Sequence, residues 1–506
     1  MPINFNPNDP DGTGLPMRAI SPRPNRPETR AGFTLSGEHL EDLYDFATQT
    51  EKFLFWQCRE AALAALDAWE DVSGDGFNSW QGSSGPAKKI ELRPDAGEDL
   101  NAFYDRVSLS FFHRTIGDRK FHSGASTDVV AHEAGHAILD AIRPGLWDST
   151  GFEVNAFHEG FGDCVAILTA LLDGPMRVAV LPLLTDRNFV ESTAENLAAG
   201  IKLLAPNHNA SVPRHALNHF RWKLPETLPD INSAEDGPGR LISESHSFGQ
   251  VFSGCFYDTI VNIFRANGGG SEEHLLAATR TAGRLLARAV ATAPENVRFF
   301  REVGRAMVKA DIEDNAGANS DAIKAAFAGH DLPLGTGAML APIATLAGAA
   351  PTIKSTVASF GPAATDDLLA RIGAVGGRLA MAPLRLGGET VVEMVHERVV
   401  PLDRLNPKLQ GVVAKASETV LVGGSNGRAI VLGALPEPRT TADEVETFVR
   451  SLLHQDAIDF GGKKAVPGLA PAPVHPTTHE IRLVDGQKVL TRIRFLCHCC
   501  SPVRQG

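Results

Sequence analysis

Apolar residues recur at three- and four-residue intervals through most of the first 330 positions, the spacing of amphipathic helices. Leu40, Leu43, Phe46 and Phe53 begin the longest such pattern, which continues to Trp69. Asn267 and three glycines end a later apolar run. The pattern predicts helices over residues 38–72, 251–264, 275–291, 296–310 and 320–329.

Alternating polar and apolar positions predict strands at residues 89–93 and 103–112. After an Ala/Gly/Pro-rich stretch at 335–364, alternation dominates and one helical pattern remains, at 441–453. The later strands are predicted at 391–400, 419–422, 429–432, 480–484 and 489–495, with the last two forming a hairpin about Asp485-Gly486.

These patterns predict an α+β protein with four parts. Residues 1–35, rich in Pro, Asn, Asp and Arg, are expected to form a flexible arm. The main domain is placed at 36–335, with a cleft near 132–163. A linker at 336–365 leads to a separate small α+β module, 366–506, which ends in a Cys-rich tail.

The charge balance narrows the range of partners. The 506 residues carry 48 basic and 60 acidic side chains, a net charge of −12, and no Lys/Arg block stands out, so nucleic acid is not expected as a partner. No apolar run has the length of a bilayer span, so no membrane partner is expected. The first residues lack the features of a secretory signal peptide. The expected location is cytoplasmic, or exported without a recognisable signal peptide.

The strongest chemical signal is H-E-x-x-H, formed by His132, Glu133 and His136. On a helix, residues four apart share one face, so both imidazoles can reach one ion. The alternative is a surface helix with two solvated histidines. Zinc requires a third protein ligand and an open position if it is to do chemistry.

A second pattern supplies such a ligand. Glu159 and Asp163 are four apart, at the start of an apolar run that extends to Leu172. Glu159 would complete a set of two histidines and one carboxylate. Asp163 is then placed to accept the second ring N–H of a histidine ligand. The two helices together predict a zinc site with Glu133 beside it.

These residues resemble the thermolysin-like zinc peptidases, or gluzincins, over about residues 37–333. The resemblance implies a two-lobed catalytic domain with a β-containing N-terminal lobe and a helical C-terminal lobe. The motifs that carry it are Asn101-Ala102-Phe103-Tyr104, Gly117-Asp118, Asp128-Val129-Val130-Ala131-His132-Glu133 and Glu159-Gly160-Phe161-Gly162-Asp163.

The resemblance also implies residue roles. His246 corresponds to the histidine that stabilises the transition-state oxyanion; the alternative is a capping or surface histidine. Asn101 and Ala102 correspond to the edge-strand pair that hydrogen-bonds the substrate backbone. The remaining roles are zinc ligand for His132, His136 and Glu159, general base for Glu133, and, for Asp163, the carboxylate that accepts the second ring N–H of a histidine ligand.

The sequence also departs from the family. Asp128 matches one ligand of the family's paired calcium site, but residues 170–172 are Ala, Leu and Leu where acidic residues are expected. Calcium is therefore doubtful, and Asp128 could simply cap its helix. The substrate-clamping arginine does not align, and Arg214 and Arg221 are the candidates. No long pro-segment precedes the domain.

The predicted activity is zinc-dependent endopeptidase action on a polypeptide substrate, by a metal-activated water with Glu133 as general base. One alternative is a metal-dependent aminopeptidase, although no acidic anchor for a free α-amine precedes the metal helix. The other is a catalytically silent, zinc-stabilised binding scaffold, against which the intact Glu133 argues.

The tail Cys497-His498-Cys499-Cys500 has two interpretations. The first is a loose terminal segment with exposed thiols. The second is self-inhibition, in which a thiolate or His498 binds a metal of its own or reaches the active-site zinc and keeps it latent.

Overall fold

The computed structural model describes most of the chain. The described residues are 2–11, 15–35, 51–204, 213–231, 239–335, 378–386, 389–425, 428–431, 438–461 and 477–497. Within them the protein is a mixed α+β structure, in agreement with the predicted fold class.

Ten α-helices lie in this part of the chain. They are α1 (Glu51–Ser73), α2 (Thr127–Ile142), α3 (Phe152–Leu171), α4 (Gly174–Val180), α5 (Glu195–Leu204), α6 (Ser245–Ala266), α7 (Glu272–Thr292), α8 (Phe299–Asn315), α9 (Ser320–Gly329) and α10 (Pro438–His454). The helices predicted at 251–264, 275–291, 296–310, 320–329 and 441–453 are confirmed within a few residues. The first predicted helix is confirmed from Glu51 onward, and its earlier part lies outside the described residues.

The strands are mostly short. They are β1 (Ile3–Phe5), β2 (Arg18–Ile20), β3 (Gly32–Leu35), β4 (Trp80–Gly82), β5 (Gly85–Ala87), β6 (Lys89–Arg93), β7 (Ala102–Tyr104), β8 (Ser108–Phe111), β9 (His113–Ile116), β10 (Arg119–His122), β11 (Ser192–Thr193), β12 (Arg214–His215), β13 (Arg378–Leu386), β14 (Glu389–Pro401), β15 (Val412–Ser425), β16 (Arg428–Val431), β17 (Ile458–Asp459), β18 (His479–Val484), β19 (Gln487–Arg492) and β20 (Phe495–Leu496).

A five-stranded sheet stands next to the helices, in the order β20-β7-β8-β6-β3. The single strand predicted at 103–112 is wrong, because a tight turn divides it into β7 and β8. Arg106 has a φ of 66°, and the Asp105 side chain accepts the backbone N–H groups of Val107 and Ser108. The two halves therefore pair antiparallel with each other.

The helical layer centres on α3, whose residues are all buried. It packs between α2 and α6. Gly135 of α2 makes the first contact close, since a Cβ there would lie 2.8 Å from the Cα of Gly162. Gly160 does the same towards α6, where the carbonyl oxygen of Gly249 would lie 2.7 Å from an added Cβ. Small residues thus allow close contact between the two motif helices, which are α2 with the H-E-x-x-H residues and α3 with Glu159 and Asp163.

Residues 378–492 contribute a second sheet, in the order β13-β14-β15-β19-β18-β17, with β16 on β15. The hairpin about Asp485-Gly486 is confirmed, and both turn residues have positive φ. Arg298 joins this region to the helical layer by ion pairs with Glu153 of α3 and Glu444 of α10. The boundaries drawn for a separate C-terminal module stay a prediction.

Two further expectations differ from the structure. The N-terminal residues, predicted to be a flexible arm, contain three strands. Phe5 and Asp9 are buried, and the backbone of Asn6 is hydrogen-bonded to the side chain of Gln57 of α1. The last predicted strand, 489–495, ends at Arg492; β20 follows and joins the other sheet.

Among the described helices, none is by itself long and apolar enough to cross a membrane. One bent pair, Phe152–Leu171 with Gly174–Leu183, passes on length and composition alone.

Candidate active site

The two motif helices bring three predicted ligands together. His132 and His136 project from one face of α2, with ring centroids 4.7 Å apart. Glu159 faces them from α3, and its Oε2 lies 3.4 Å from His132 Nε2 and 3.5 Å from His136 Nε2. All three side chains are buried.

This arrangement fits a zinc ion. Ligands bound at about 2.0–2.1 Å in a tetrahedron lie about 3.3 Å from one another, close to the observed separations. Neither Nε2 atom has a hydrogen-bond partner among the described residues. Buried polar atoms in proteins are almost always paired, so two orphaned nitrogens facing one carboxylate oxygen indicate a place for a cation.

Asp163 and Arg214 orient the first histidine. Asp163 Oδ1 lies 2.9 Å from His132 Nδ1, the contact expected of a carboxylate behind a ligand. Arg214, on β12, donates to Asp163 from Nη2 at 2.9 Å and from Nε at 3.1 Å. Because the ring's Nδ1 is thus engaged, Nε2 is the atom that faces Glu159.

Glu133 lies beside this group. Both of its carboxylate oxygens are buried and have no hydrogen bond within the described part of the chain. Burial raises its pKa to about 8. The neighbouring His132 acts to lower this pKa, and Glu159 acts to raise it further. A carboxylate poised near neutral pH is suited to take up and return a proton.

The other pKa values follow from the same crowding. Burial lowers the pKa of His136 to about 4. Burial and Arg214 also act to lower that of His132, but the neighbouring carboxylates of Asp163 and Glu159 outweigh them and raise it to about 10. Burial would raise the pKa of Glu159, yet His246 and His136 hold it well below its usual range. Arg214 and His132 likewise outweigh burial and lower the pKa of Asp163, so Glu159 and Asp163 both stay ionised.

His246 also reaches the site, from the first turn of α6. Its Nε2 lies 2.9 Å from Glu159 Oε2, and its Nδ1 lies 2.7 Å from Glu244 Oε1. Burial opposes its protonation, but these two carboxylates raise its pKa well above the usual value. A histidine held between two carboxylates is a hydrogen-bond donor, as the role expected of His246 requires. Its alternative role as a surface or capping residue is wrong, because it is buried and Glu244 caps the helix.

Asn101 and Ala102, to which the resemblance assigned substrate binding, stand at the start of β7. Ala102 begins β7, and the Asn101 side chain accepts the N–H of Ala102. The outer side of β7 is not open, because β20 pairs with it. The N–H of Cys497 donates to the carbonyl oxygen of Ala102 at 2.9 Å.

The two candidates for the substrate-clamping arginine lie in different parts of the structure. Arg214 is buried at the site, whereas Arg221 is on the surface, paired with Asp331 at 3.0 Å. Of the two, only Arg214 stands near the predicted ligands.

The sequence did not single out several residues that contact the site. Glu244 carries a weak signal, since it stands two positions before His246, in the polar residues that precede the helix predicted at 251–264. His158, next to Glu159 in sequence, is fully buried against His136. No sequence pattern pointed to Phe495 or Arg492. The periodicity of a strand does not specify which distant residues the strand will contact.

Cys497 reaches the site and is buried there. Its sulfur, one nitrogen of His132 and one oxygen of Glu133 all lie within 4.8 Å of one another. The expectation of a loose segment with exposed thiols is therefore wrong for Cys497. His498, Cys499 and Cys500 lie outside the described residues.

In the described part of the chain, two other groups of side chains could hold a metal ion. Asp128 gathers with Asp9 and Glu195, at the position for which calcium was doubtful. Ser126 stands at the N-cap position but makes no side-chain cap hydrogen bond, whereas Asp128, in the first turn, accepts the N–H groups of Val129 and Ala194. The second group is Asp95, His113 and His122.

Comparison with known protein families finds no match. Comparison with curated proteins likewise finds no similar sequence.

Proposed function

We propose that this protein is a zinc-dependent endopeptidase whose catalytic domain, residues 36–335, has the two-lobed thermolysin-like arrangement. The observation that carries the proposal is that His132 Nε2 and His136 Nε2 both face Glu159 Oε2 within 3.5 Å, next to a Glu133 carboxylate without a hydrogen bond. A purely structural zinc site has no use for such a base.

The chain's own residues then have distinct roles. His132, His136 and Glu159 would hold the zinc ion, with Asp163 and Arg214 fixing the orientation of His132. Zinc bound there would supply a Lewis acid that polarises the substrate carbonyl and makes water a better nucleophile. Glu133 accepts the proton of the attacking water and delivers it to the departing amine.

His246 and β7 complete the proposed machinery. His246 donates from Nε2 towards the carbonyl oxygen of the substrate, where negative charge develops; one such donor contributes about 3–4 kcal/mol to catalysis. Backbone groups of β7 pair with an extended peptide, which favours polypeptides over small amides.

The test is metal analysis of the purified chain together with cleavage of denatured casein. We expect stoichiometric zinc and chelator-sensitive cleavage, and Glu133→Gln should keep the zinc and lose turnover. Bound zinc without cleavage, even after β20 is released, would favour the silent scaffold. That alternative draws support from the burial of the site behind β20.

A comparison of substrates tests the aminopeptidase alternative. An endopeptidase cleaves an N-terminally blocked peptide as well as the free one, whereas an aminopeptidase requires the free α-amine. Cleavage restricted to free N-termini would replace the endopeptidase proposal.

A further inference from the structure

The backbone of the terminal segment 495–497 occupies a position suited to substrate. Phe495 pairs antiparallel with Tyr104, and Leu496 with Phe103. The N–H of Cys497 extends the pairing to the carbonyl oxygen of Ala102. Strand addition of this kind is a common way in which proteins bind extended peptides. A substrate that paired with β7 would need the same backbone groups.

Leu496 and Cys497 each contact proposed catalytic groups. The carbonyl oxygen of Leu496 accepts a hydrogen bond from His246 Nε2 at 3.1 Å. The sulfur of Cys497 is grouped with His132 and Glu133. Arg214 Nη1 lies 3.8 Å from the same sulfur. The proposed oxyanion donor thus contacts the carbonyl oxygen of Leu496, and the proposed base lies near the side chain of the next residue.

Side-chain contacts anchor this segment. The Phe495 ring stacks on His136, with centroids 4.6 Å apart and an interplanar angle of 12°, and also on His158 at 4.2 Å. The guanidinium of Arg492 also contacts the Phe495 ring, 3.9 Å from its centroid. Arg492 in turn donates to the carbonyl oxygen of Trp147 at 3.0 Å. The anchor therefore ties the segment to a predicted ligand as well as to the domain.

Little space remains beside the bound segment. A cavity of about 30 Å³ adjoins Glu159 and His246, and Phe448, Leu452 and Phe495 form part of its wall. This volume holds about one water molecule. A polypeptide cannot enter the site while β20 stays on β7.

We infer that residues 495–497 act as an internal substrate analogue, bound across the site with the Leu496–Cys497 peptide bond at the reaction position. The inference rests on the proposed peptidase function and adds its regulation. The protein is latent while β20 pairs with β7, and it becomes active when this segment is displaced.

Hydrogen exchange on the wild-type full-length protein with zinc tests the pairing without measuring activity. The amide of Cys497 should exchange slowly, because it is bonded to Ala102. A zinc-binding peptide hydroxamate, which also needs β7, should accelerate exchange across residues 495–497. Hydroxamate binding that leaves their exchange unchanged would overturn the inference, as would fast exchange of Cys497 before any addition.

Phe495→Ala tests the latency, because it removes the stacking of the Phe495 ring on His136 and His158. We expect kcat/KM for casein to rise at least about tenfold, mainly through a lower KM, since the fraction of chains with an open site increases. Phe460→Ala is the matched control, because Phe460 is a partly exposed phenylalanine that directly follows β17 of the second sheet. Equal activity of wild type, Phe495→Ala and the control would contradict latency.

Cys497→Ser separates the backbone from the thiol. The serine variant keeps the pairing with β7 and should remain largely latent. Full activation by Cys497→Ser, with no further gain from Phe495→Ala, would overturn the substrate-like mode and assign the inhibition to the sulfur.

The two proposals fail in different ways. If zinc-loaded Phe495→Ala has rapid exchange at residues 495–497 but neither cleaves casein nor binds the hydroxamate, the peptidase function fails. If wild type and Phe495→Ala cleave equally well, the peptidase function stands and the internal analogue fails.

Discussion

Gly162 lies against His132 so closely that a Cβ on the glycine would be 2.5 Å from Nδ1 of the imidazole. The two residues belong to different motif helices, and both helices are buried at this point. The glycine therefore sets how near Glu159 can come to the two histidines. It also leaves room for the contact between His132 and Asp163.

Gly162→Ala should weaken zinc binding by about 10–100-fold, because the added methyl group displaces His132 from its supporting carboxylate. Competition with a chromogenic chelator measures the affinity. Gly145→Ala is the matched control, since a Cβ there meets no atom within 4 Å. Unchanged affinity in Gly162→Ala would mean that the helices separate without disturbing the ligands.

Asp163→Asn should also lower zinc affinity by about 10–100-fold, since the amide cannot replace the negative charge behind His132. The loss should be accompanied by a change in the pH dependence of zinc binding, measured by titration at several pH values. Asp71→Asn, which removes a surface ion pair with Arg280, controls for the loss of a carboxylate. Equal affinity in the two variants would count against a supporting role for Asp163.

His246→Ala should retain zinc and lower kcat by about 10²–10³-fold, the effect of removing one oxyanion donor. The measurement needs a form in which β20 is released, such as Phe495→Ala, because His246 also contacts Leu496. His274→Ala, an exposed histidine at the start of α7, is the control. A drop in zinc content instead of kcat would show that His246 supports the metal site.

Glu444 makes the stability of the contact between α10 and α3 depend on pH. Burial, and next the neighbouring Glu153, raise its pKa from 4.5 to about 8, although Arg298 opposes them. The folded state therefore binds this proton more tightly than the unfolded state. The stability associated with the proton is present at low pH and is lost as pH rises towards 8.

We therefore expect Glu444→Gln to flatten the decline in the free energy of unfolding between about pH 5 and about pH 8, by up to about 1.4 kcal/mol per pH unit. Urea unfolding across this range measures it. Glu446→Gln, a residue of the same helix at the surface with Arg450, is the matched control. Parallel pH profiles for wild type and Glu444→Gln would contradict the prediction.

The sequence by itself determined the elements that depend on local pattern. Helix α9 has the predicted bounds, and strand β6 matches its predicted range, because periodicity reports which face of a segment is buried. The same logic placed His132 and His136 on one face of a helix. It also placed Glu159 and Asp163 on one face of the next, since both motifs are four-residue spacings.

Only the tertiary structure decided what surrounds those ligands. Arg214 was one of two candidates until β12 brought it to Asp163, and Glu244 acquired its importance through His246. The N-terminal strands were missed because their burial depends on contacts with α1 that a polar, Pro-rich composition does not reveal.

The strand β20 is the clearest case of a feature beyond sequence patterns. Phe495 and Leu496 continue an ordinary β-strand pattern, and nothing in that pattern identifies β7 as the partner strand. Backbone hydrogen bonds are the same for every residue type, so pairing between strands nearly 400 positions apart is selected by the packing of the whole chain. Local periodicity thus determined the two helices that carry the predicted ligands, whereas long-range packing decided that β20 lies against them.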